Sequence, residues 1–530
     1  MILDVEKGFG HEPPRYDLCI VGAGAAGITL ALELEATGLR VCLLEAGGAV
    51  YEAETQRLFE GEVSGQKYPT LRDTRVGALG GSTTVWAGWC RPLEALDFEP
   101  RDWCDAGGWP FGLDELGPYY ARAHEICGLA ACDYDPEHWV GVLGADRLLP
   151  GDSGFSNEIF HIGPQDFGDR YRERLERSRT IDLVLHAPVT RLRVEGAACT
   201  AVEIRTLGGY ELAIRADRFV LAAGGIENPR LLLLSADQPV GAPGNAAGLV
   251  GRYFSDHAFV DPGTLVLRAP DSLSFYRARP VAHGPGASSV RGVLSLRPEV
   301  AQRERLMHAA LYFHHRYEAH RVFDTAEVKA FQTLWNKVKQ RAVPGAAWPF
   351  VRRAAMAPQR LAVALARKLA VRHGPARRWR MRAAFETGFR YDNRVMLSDE
   401  RDRLGRRRVL VEWQIGEADV ENMRRVMQLF GQAVSEAGVG HLERAFPDTP
   451  AGWRQALEPA MHHMGTTRMH VAPDHGVVDE NSRVHGMSNL YVTGSSVFPS
   501  GGYANPTLTI VALAARLGDH LKRRSPRPAP

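Results

Sequence analysis

The chain has 530 residues, too many for one small core and in the range of two domains in one globular body, and 45% of them are hydrophobic, which excludes a disordered protein. Its formal net charge of +2 gives no reason to expect nucleic acid as a general partner. Seven cysteines without a C-x-x-C pair form neither a disulfide framework nor a zinc site, no apolar run approaches the roughly 20 residues of a membrane span, and Met1 to Arg15 carries no secretory signal, so the expectation is a soluble cytoplasmic protein.

Tyr16 to Val21 predicts a buried strand, followed at once by Gly22-Ala23-Gly24-Ala25-Ala26-Gly27. A helix is predicted over Ile28 to Thr37, ended by Gly38, and then a second strand, Val41 to Leu44, that stops on Glu45. Strand, glycines, helix, strand and terminal acid in this order form a dinucleotide-binding fingerprint. Gly22 permits a tight turn, Gly24 lets backbone approach a pyrophosphate, and Gly27 packs helix on strand, leaving the helix N-terminus aimed at the phosphates. Glu45 stands where a carboxylate can accept from a ribose hydroxyl, and it argues against a 2′-phosphate. The glycines alone do not separate FAD from NAD.

The Gly-rich segment Arg75 to Trp89 interrupts the α/β pattern. Its glycines beside tryptophans suggest backbone pressed against a flat ligand, with an ordinary flexible loop as the alternative. Thr190 to Val194 and Thr200 to Arg205 predict a hairpin, Arg218 to Ile226 a buried strand ending in glycines, and Asn228 to Ser235 a helix. After Gly251 the pattern shifts to strands, among them Gly263 to Leu267 and Ser289 to Leu296, then a hairpin of Arg394 to Leu397 and Val409 to Trp413 around Leu404-Gly405. From Val420 an amphipathic helix places Val420, Met423, Met427, Phe430 and Val434 on one face. This middle region reads as a sheet-based domain inserted into the first. Within it, Arg303 to Arg382 is rich in Arg and Ala and carries Trp335, Trp348 and Trp379. Leu361 to Leu369 there predicts a basic amphipathic helix, either a solvated lid or a peripheral membrane or partner contact.

Near the end stand Met461-His462-His463-Met464-Gly465 and, after a strand at Leu490 to Thr493, the run Gly501-Gly502-Tyr503-Ala504-Asn505-Pro506-Thr507. Removing a proton from an alcohol at neutral pH needs a side chain titrating near 7 and a second polar group to hold the oxygen. A His with an Asn meets that need. Read singly, His462 could equally be a satisfied or surface histidine, and Asn505 the N-cap of a helix opening at Pro506.

Jointly, the fingerprint, the Gly80-Gly81-Ser82 loop, the segment Leu221 to Pro229 and the pair His462 and Asn505 resemble the glucose-methanol-choline (GMC) oxidoreductases, flavoenzymes that oxidise alcohols, over nearly the whole chain. The resemblance implies an α/β fold (α+β overall), in which a Rossmann-like FAD-binding domain carries an inserted antiparallel-sheet substrate domain, as in p-hydroxybenzoate-hydroxylase-like architectures. It assigns residues 1–255 to the first part of the FAD domain, with the flavin loop at 75–90, and 256–450 to the substrate domain, with a helical insert at 301–385. Residues 451–530 are then the return carrying the catalytic pair. Cofactor contacts are implied at Gly22, Gly24, Ala25, Ala26, Gly27, Glu45, Ala46, Gly80, Gly81, Ser82, Val85, Trp86, Ala87, Val189, Ala223, Gly224, Gly494, Ser495, Asn505, Pro506 and Thr507, and no metal is implied.

Sugar oxidases of this family with covalent FAD attach it through a His before the loop Trp. Val85 stands there before Trp86, so FAD is expected to be noncovalent. Ala87 replaces a residue that is often Thr, which leaves oxygen or another electron acceptor open. The motif forms look most like pyranose oxidases and bacterial sugar or polyol dehydrogenases, so the implied small-molecule substrate is an alcohol of the sugar, glycoside or polyol class. His462 matches the family's base and Asn505 its partner, one accepting the hydroxyl proton and the other donating to the same oxygen while hydride passes to flavin N5. His463 and His470 rank below His462. A lyase of the same fold and a noncatalytic flavin scaffold are the other functional classes.

Overall fold

The computed structural model describes residues 1–8, 13–104, 107–143, 147–149, 151–163, 166–238, 241–271, 273–283, 286–315 and 376–523. The nearly continuous apolar run Tyr16–Val21 is the central strand of a parallel sheet, as expected of a strand covered on both faces. On one side follow Val41–Leu44, Ile181–Leu185 and Ile2–Asp4, and on the other Glu211–Leu221 and then Leu490–Val492, all parallel. The chain therefore builds this sheet from its first residues and returns to it near its end. The expected hairpin forms as Val189–Glu195 and Ala198–Arg205, antiparallel, and joins the sheet along the first half of Glu211–Leu221.

Two helix starts differ from expectation, both at glycines. The first helix is Ala25–Leu34, opening at the N-cap Gly24 rather than at Ile28, and a 3-10 turn Glu35–Thr37 carries it to Gly38. Gly22, at φ 108°, turns the chain out of the strand so sharply that the small Ala25 and Ala26 already lie in the first turn. The strand expected to reach Ile226 stops at Leu221, and the helix runs over Gly224–Leu234. Gly224, at φ 84°, makes that turn, so its glycines open a helix instead of closing a strand.

The second sheet is antiparallel and runs in the order Gly440–Arg444, Ala258–Asp271, Ala376–Phe385, Ala309–His315, Gly286–Leu296, Phe155–Ile162 and Trp89–Cys90. Its last two strands come from within residues 1–255. The helix Glu417–Glu436 packs across it and buries Val420, Met423, Met427, Phe430 and Val434, the face read from the sequence, with the Phe430 ring 5.7 Å from Phe155. A third, three-stranded sheet joins the hairpin Arg394–Arg401 and Arg407–Trp413 to Gly61–Gly65.

The ends of the Arg/Ala-rich segment correct the expectation of a helical insert across 301–385. Ala309–His315 and Ala376–Phe385 are neighbouring strands in the middle of the second sheet. Trp379 and Met381 point inward with no exposure, while Arg378 and Arg380 alternate with them and pair with Glu443 and Asp261. Trp335, Trp348 and the expected helix Leu361 to Leu369 lie outside the described residues. Among the described residues, no helix is long and apolar enough to cross a membrane.

Candidate functional site

Between the two sheets lies a cavity of about 640 Å³ whose wall gathers residues from both ends of the chain. The first strand–helix turn contributes Gly22, Gly24, Ala25 and Ala26, and the second strand contributes Glu45 and Ala46. The glycine loop adds Gly81, Ser82, Val85, Trp86 and Ala87, the hairpin adds Val189, and the second glycine turn adds Ala223 and Gly224. The C-terminal return brings His462, Gly494, Ser495, Asn505, Pro506 and Thr507. Gly27 and Gly80 do not reach the wall but stand behind it. A Cβ on Gly27 would lie 1.9 Å from the Gly22 carbonyl oxygen, and Gly80, at φ 92°, donates its N–H to Ala23 at 2.9 Å. Val85 is 72% exposed at the rim.

The wall fits FAD on three observations. Gly24 and Gly81 meet backbone to backbone, since a Cβ on Gly81 would lie 3.0 Å from the Gly24 Cα, so bare peptide faces the cavity along both segments. The helix Ala25–Leu34 has no side-chain cap, so its first N–H groups and its positive end are open to a phosphate. Glu45 accepts from the N–H groups of Ala23 at 3.0 Å and Gly47 at 3.2 Å, and each oxygen keeps a lone pair for a ribose hydroxyl. Burial pushes this carboxyl up to about 7. At the far end, the helix Thr507–Arg523 directs its N-terminus at the cavity through Pro506 and Thr507. Among the described residues, no cluster of His, Cys, Asp and Glu could hold a metal ion.

His462 and Asn505, 43 residues apart in sequence, meet on this wall, with Nδ2 of Asn505 at 3.3 Å from Nε2 of His462. Nδ1 of His462 lies 2.9 Å from Nδ1 of His257. Burial, with the imidazoles of His257 and His463 beside it, holds His462 well below the usual histidine range, so the ring is neutral at pH 7. His463 also lies on the wall, between the rings of Tyr68 and Phe254, and burial pulls it down to about 3. His470 lies off the cavity wall, its Nδ1 accepting from the N–H of Ala472 at 3.0 Å.

The opposite wall belongs to the second sheet. Trp89, Phe259, Tyr312, His314 and Arg382, from four of its strands, line the same cavity as His462 and Asn505. The Arg382 guanidinium sits 4.6 Å from the Phe259 ring centroid and pairs with Asp261 and Glu458. Trp89 closes the Gly-rich segment singled out in the sequence, but Phe259, Tyr312, His314 and Arg382 do not emerge from it, and neither do Tyr68, Asp256 and His257. The one available signal is an acid next to a histidine, Asp256-His257, set between the apolar Phe254 and Ala258-Phe259.

Residues 17–240 match the family model described as FAD dependent oxidoreductase, and residues 390–514 the one described as GMC oxidoreductase. The chain is 25% identical to the 2-methyl-1,2-propanediol dehydrogenase of Mycolicibacterium austroafricanum, over 96% of each chain. It is 27% identical to the fructose dehydrogenase large subunit of Gluconobacter japonicus, over 96% of this chain and 98% of that one. Among solved structures, the pyridoxine 4-oxidase from Mesorbium loti superposes with a TM-score of 0.57 at 17% identity, covering 96% of this chain and all of that one, which establishes a shared fold.

Proposed function

The chain belongs to the GMC oxidoreductases and oxidises an alcohol to a carbonyl with FAD, and from that premise we propose that His462 is the base and Asn505 its partner, with a sugar, glycoside or polyol as substrate. The observation that carries this reading is the meeting of Asn505 Nδ2 and His462 Nε2 on the cavity wall. Bound FAD supplies the acceptor of the hydride. A neutral His462 can take the hydroxyl proton at Nε2, and the Asn505 amide can donate to the same oxygen as negative charge grows there. Trp89, Phe259 and Tyr312 present ring faces and edges that exclude water and suit the C–H faces of a carbohydrate or polyol. Relatives named for a diol and for fructose support that substrate class.

We assign the cofactor to residues 1–255 and 451–530 and the substrate wall to 256–450 together with strands Trp89–Cys90 and Phe155–Ile162. Cys19, Cys42, Cys90, Cys104, Cys127 and Cys199 are buried free thiols, which fits a cytoplasmic location. Anaerobic mixing of the holoprotein with sugars, glycosides, polyols and aliphatic or aromatic alcohols tests the reading: a carbohydrate or polyol should bleach the flavin absorbance. Bleaching by aliphatic or aromatic alcohols alone overturns the substrate class. Consumption of a cyanohydrin with no bleaching by any alcohol overturns the assignment of the pair.

A further inference from the structure

His462 is held at two points by adjacent residues that lead into the strand Ala258–Asp271. Asp256 accepts from the backbone N–H groups of Met461 at 2.9 Å and His462 at 2.8 Å, and from the Tyr68 hydroxyl. Met461 has φ 64°, so the backbone just before His462 is left-handed at a residue bearing a side chain, and one buried carboxylate fastens it there. His257 takes the ring. Its Nδ1 lies 2.9 Å from Nδ1 of His462 and its Nε2 2.8 Å from the carbonyl oxygen of Gly502, with the two rings nearly perpendicular.

The protons along this row follow from one fixed end. A carbonyl oxygen only accepts, so Nε2 of His257 carries the hydrogen. Burial disfavours the charged form of both rings, and a neutral His257 then has a bare Nδ1 that only accepts. Nδ1 of His462 therefore carries the hydrogen, and Nε2 keeps its lone pair, where the Asn505 amide can donate to it at 3.3 Å. The carbonyl that sets the row is itself secured. Gly502 donates its N–H to Glu386 at 3.1 Å, and Glu386 is bidentate with Arg101 at 2.7 and 2.6 Å, both side chains buried. At φ 54°, Gly502 also has no room for a Cβ, which would lie 2.3 Å from the Asp97 carboxylate.

We propose that His257 is a positioning residue for the oxidation: anchored on the Gly502 carbonyl, it accepts the Nδ1 hydrogen of His462 and so selects the tautomer whose Nε2 can take a proton. The inference rests on His462 being the base. In the step it serves, the substrate O–H bond breaks and an N–H bond forms at Nε2 of His462, while the Nδ1 hydrogen stays on His462 and stays donated to His257. The other tautomer would present Nε2–H to the alcohol and could take nothing. Glu386 and Asp97 are the carboxylates that act on His257, and His463 is the further ionisable group that acts on His462.

The test uses the oxidised holoprotein labelled with 15N-histidine, the His462→Ala spectrum identifying the His462 signals. The parent should show His462 protonated at Nδ1 and bare at Nε2. His257→Leu should lose that pattern and reduce its flavin roughly 10–100-fold more slowly, by analogy with the loss on removing the partner that orients a metal-bound imidazole, with FAD still bound. His257→Asn, whose side-chain oxygen can replace Nδ1 as acceptor, should restore the tautomer and most of the rate. A parent spectrum with His462 protonated at Nε2 overturns the inference whether or not the Leu variant folds. So does an FAD-loaded His257→Leu that reduces at the parental rate while His462→Ala is slow. If His462→Ala itself reduces at the parental rate, the base is misassigned and this inference falls with it.

Discussion

Gly225 stands in the first turn of the helix Gly224–Leu234, directly against the backbone of His463. By helix propensity alone, Gly225→Ala should stabilise the protein by ~1 kcal/mol. The structure reverses the sign. The new Cβ would lie 2.3 Å from the His463 carbonyl oxygen and 2.7 Å from its carbonyl carbon and Cβ, none of them the end of a flexible side chain. Restoring ordinary contact between these atoms moves the His462–His463 backbone by roughly 1 Å, and overpacking of this kind costs about 1–3 kcal/mol. The backbone has little freedom to yield, because Ser495 donates to the same carbonyl at 2.6 Å and Asp256 grips the His462 N–H. A displacement of ~1 Å can cost ~10²-fold in rate, so flavin reduction at saturating alcohol should slow by about that factor. Gly431→Ala is the control: it lies in the helix Glu417–Glu436, nothing stands within 4 Å of its Cβ, and it should stabilise by ~0.5–1 kcal/mol. Thermal melts and anaerobic stopped-flow reduction of the three holoproteins decide the matter. A Gly225→Ala protein as stable as Gly431→Ala, reducing its flavin at the parental rate, would refute the reasoning.

His462→Ala should slow flavin reduction by ~10²–10⁴-fold with FAD occupancy unchanged, whereas Asn505→Ala should cost less because the base remains; equal rates for His462→Ala and parent would remove the assignment. Val85 has no atom that can join the flavin, so acid precipitation should leave the yellow colour in the supernatant, and a yellow pellet would contradict noncovalent binding. Glu45, pushed up to about 7 by burial, is neutral below that pH and ionised above it. Because its folded pKa is raised, ionisation costs the FAD-free protein stability as pH climbs from the unfolded value through about 7. Ribose hydroxyls favour the ionised form, so FAD affinity measured by flavin fluorescence should tighten from pH 6 to 8 in the parent and stay flat in Glu45→Gln; a flat parent curve would detach Glu45 from the ribose.

The cofactor half was legible because its signals are local. Strand, Gly22 to Gly27, helix and Glu45 lie within a few dozen residues, each glycine answering a constraint of the turn itself, and even the misplaced helix start at Ala25 is an error of one turn. The substrate wall was not. In Arg378-Trp379-Arg380-Met381-Arg382 the strict alternation of a half-covered strand is present, yet four arginines among the residues 376–382 read as a charged helix until Asp261 and Glu443 are seen to pair with them. Asp256 and His257 were beyond local reading altogether, because the ring that His257 holds is 205 residues away. A histidine pattern near the C-terminus can identify a base, but its tautomer is set by which carbonyl ends the row. That carbonyl, Gly502, is placed by an ion pair between Arg101 and Glu386, 285 residues apart. On the proposed assignment, Arg101, His257, Glu386, His462 and Gly502, far apart in sequence, must fold together before Nε2 of His462 is left bare, so the role proposed for His462 is a property of the assembled fold rather than of the motif that announces it.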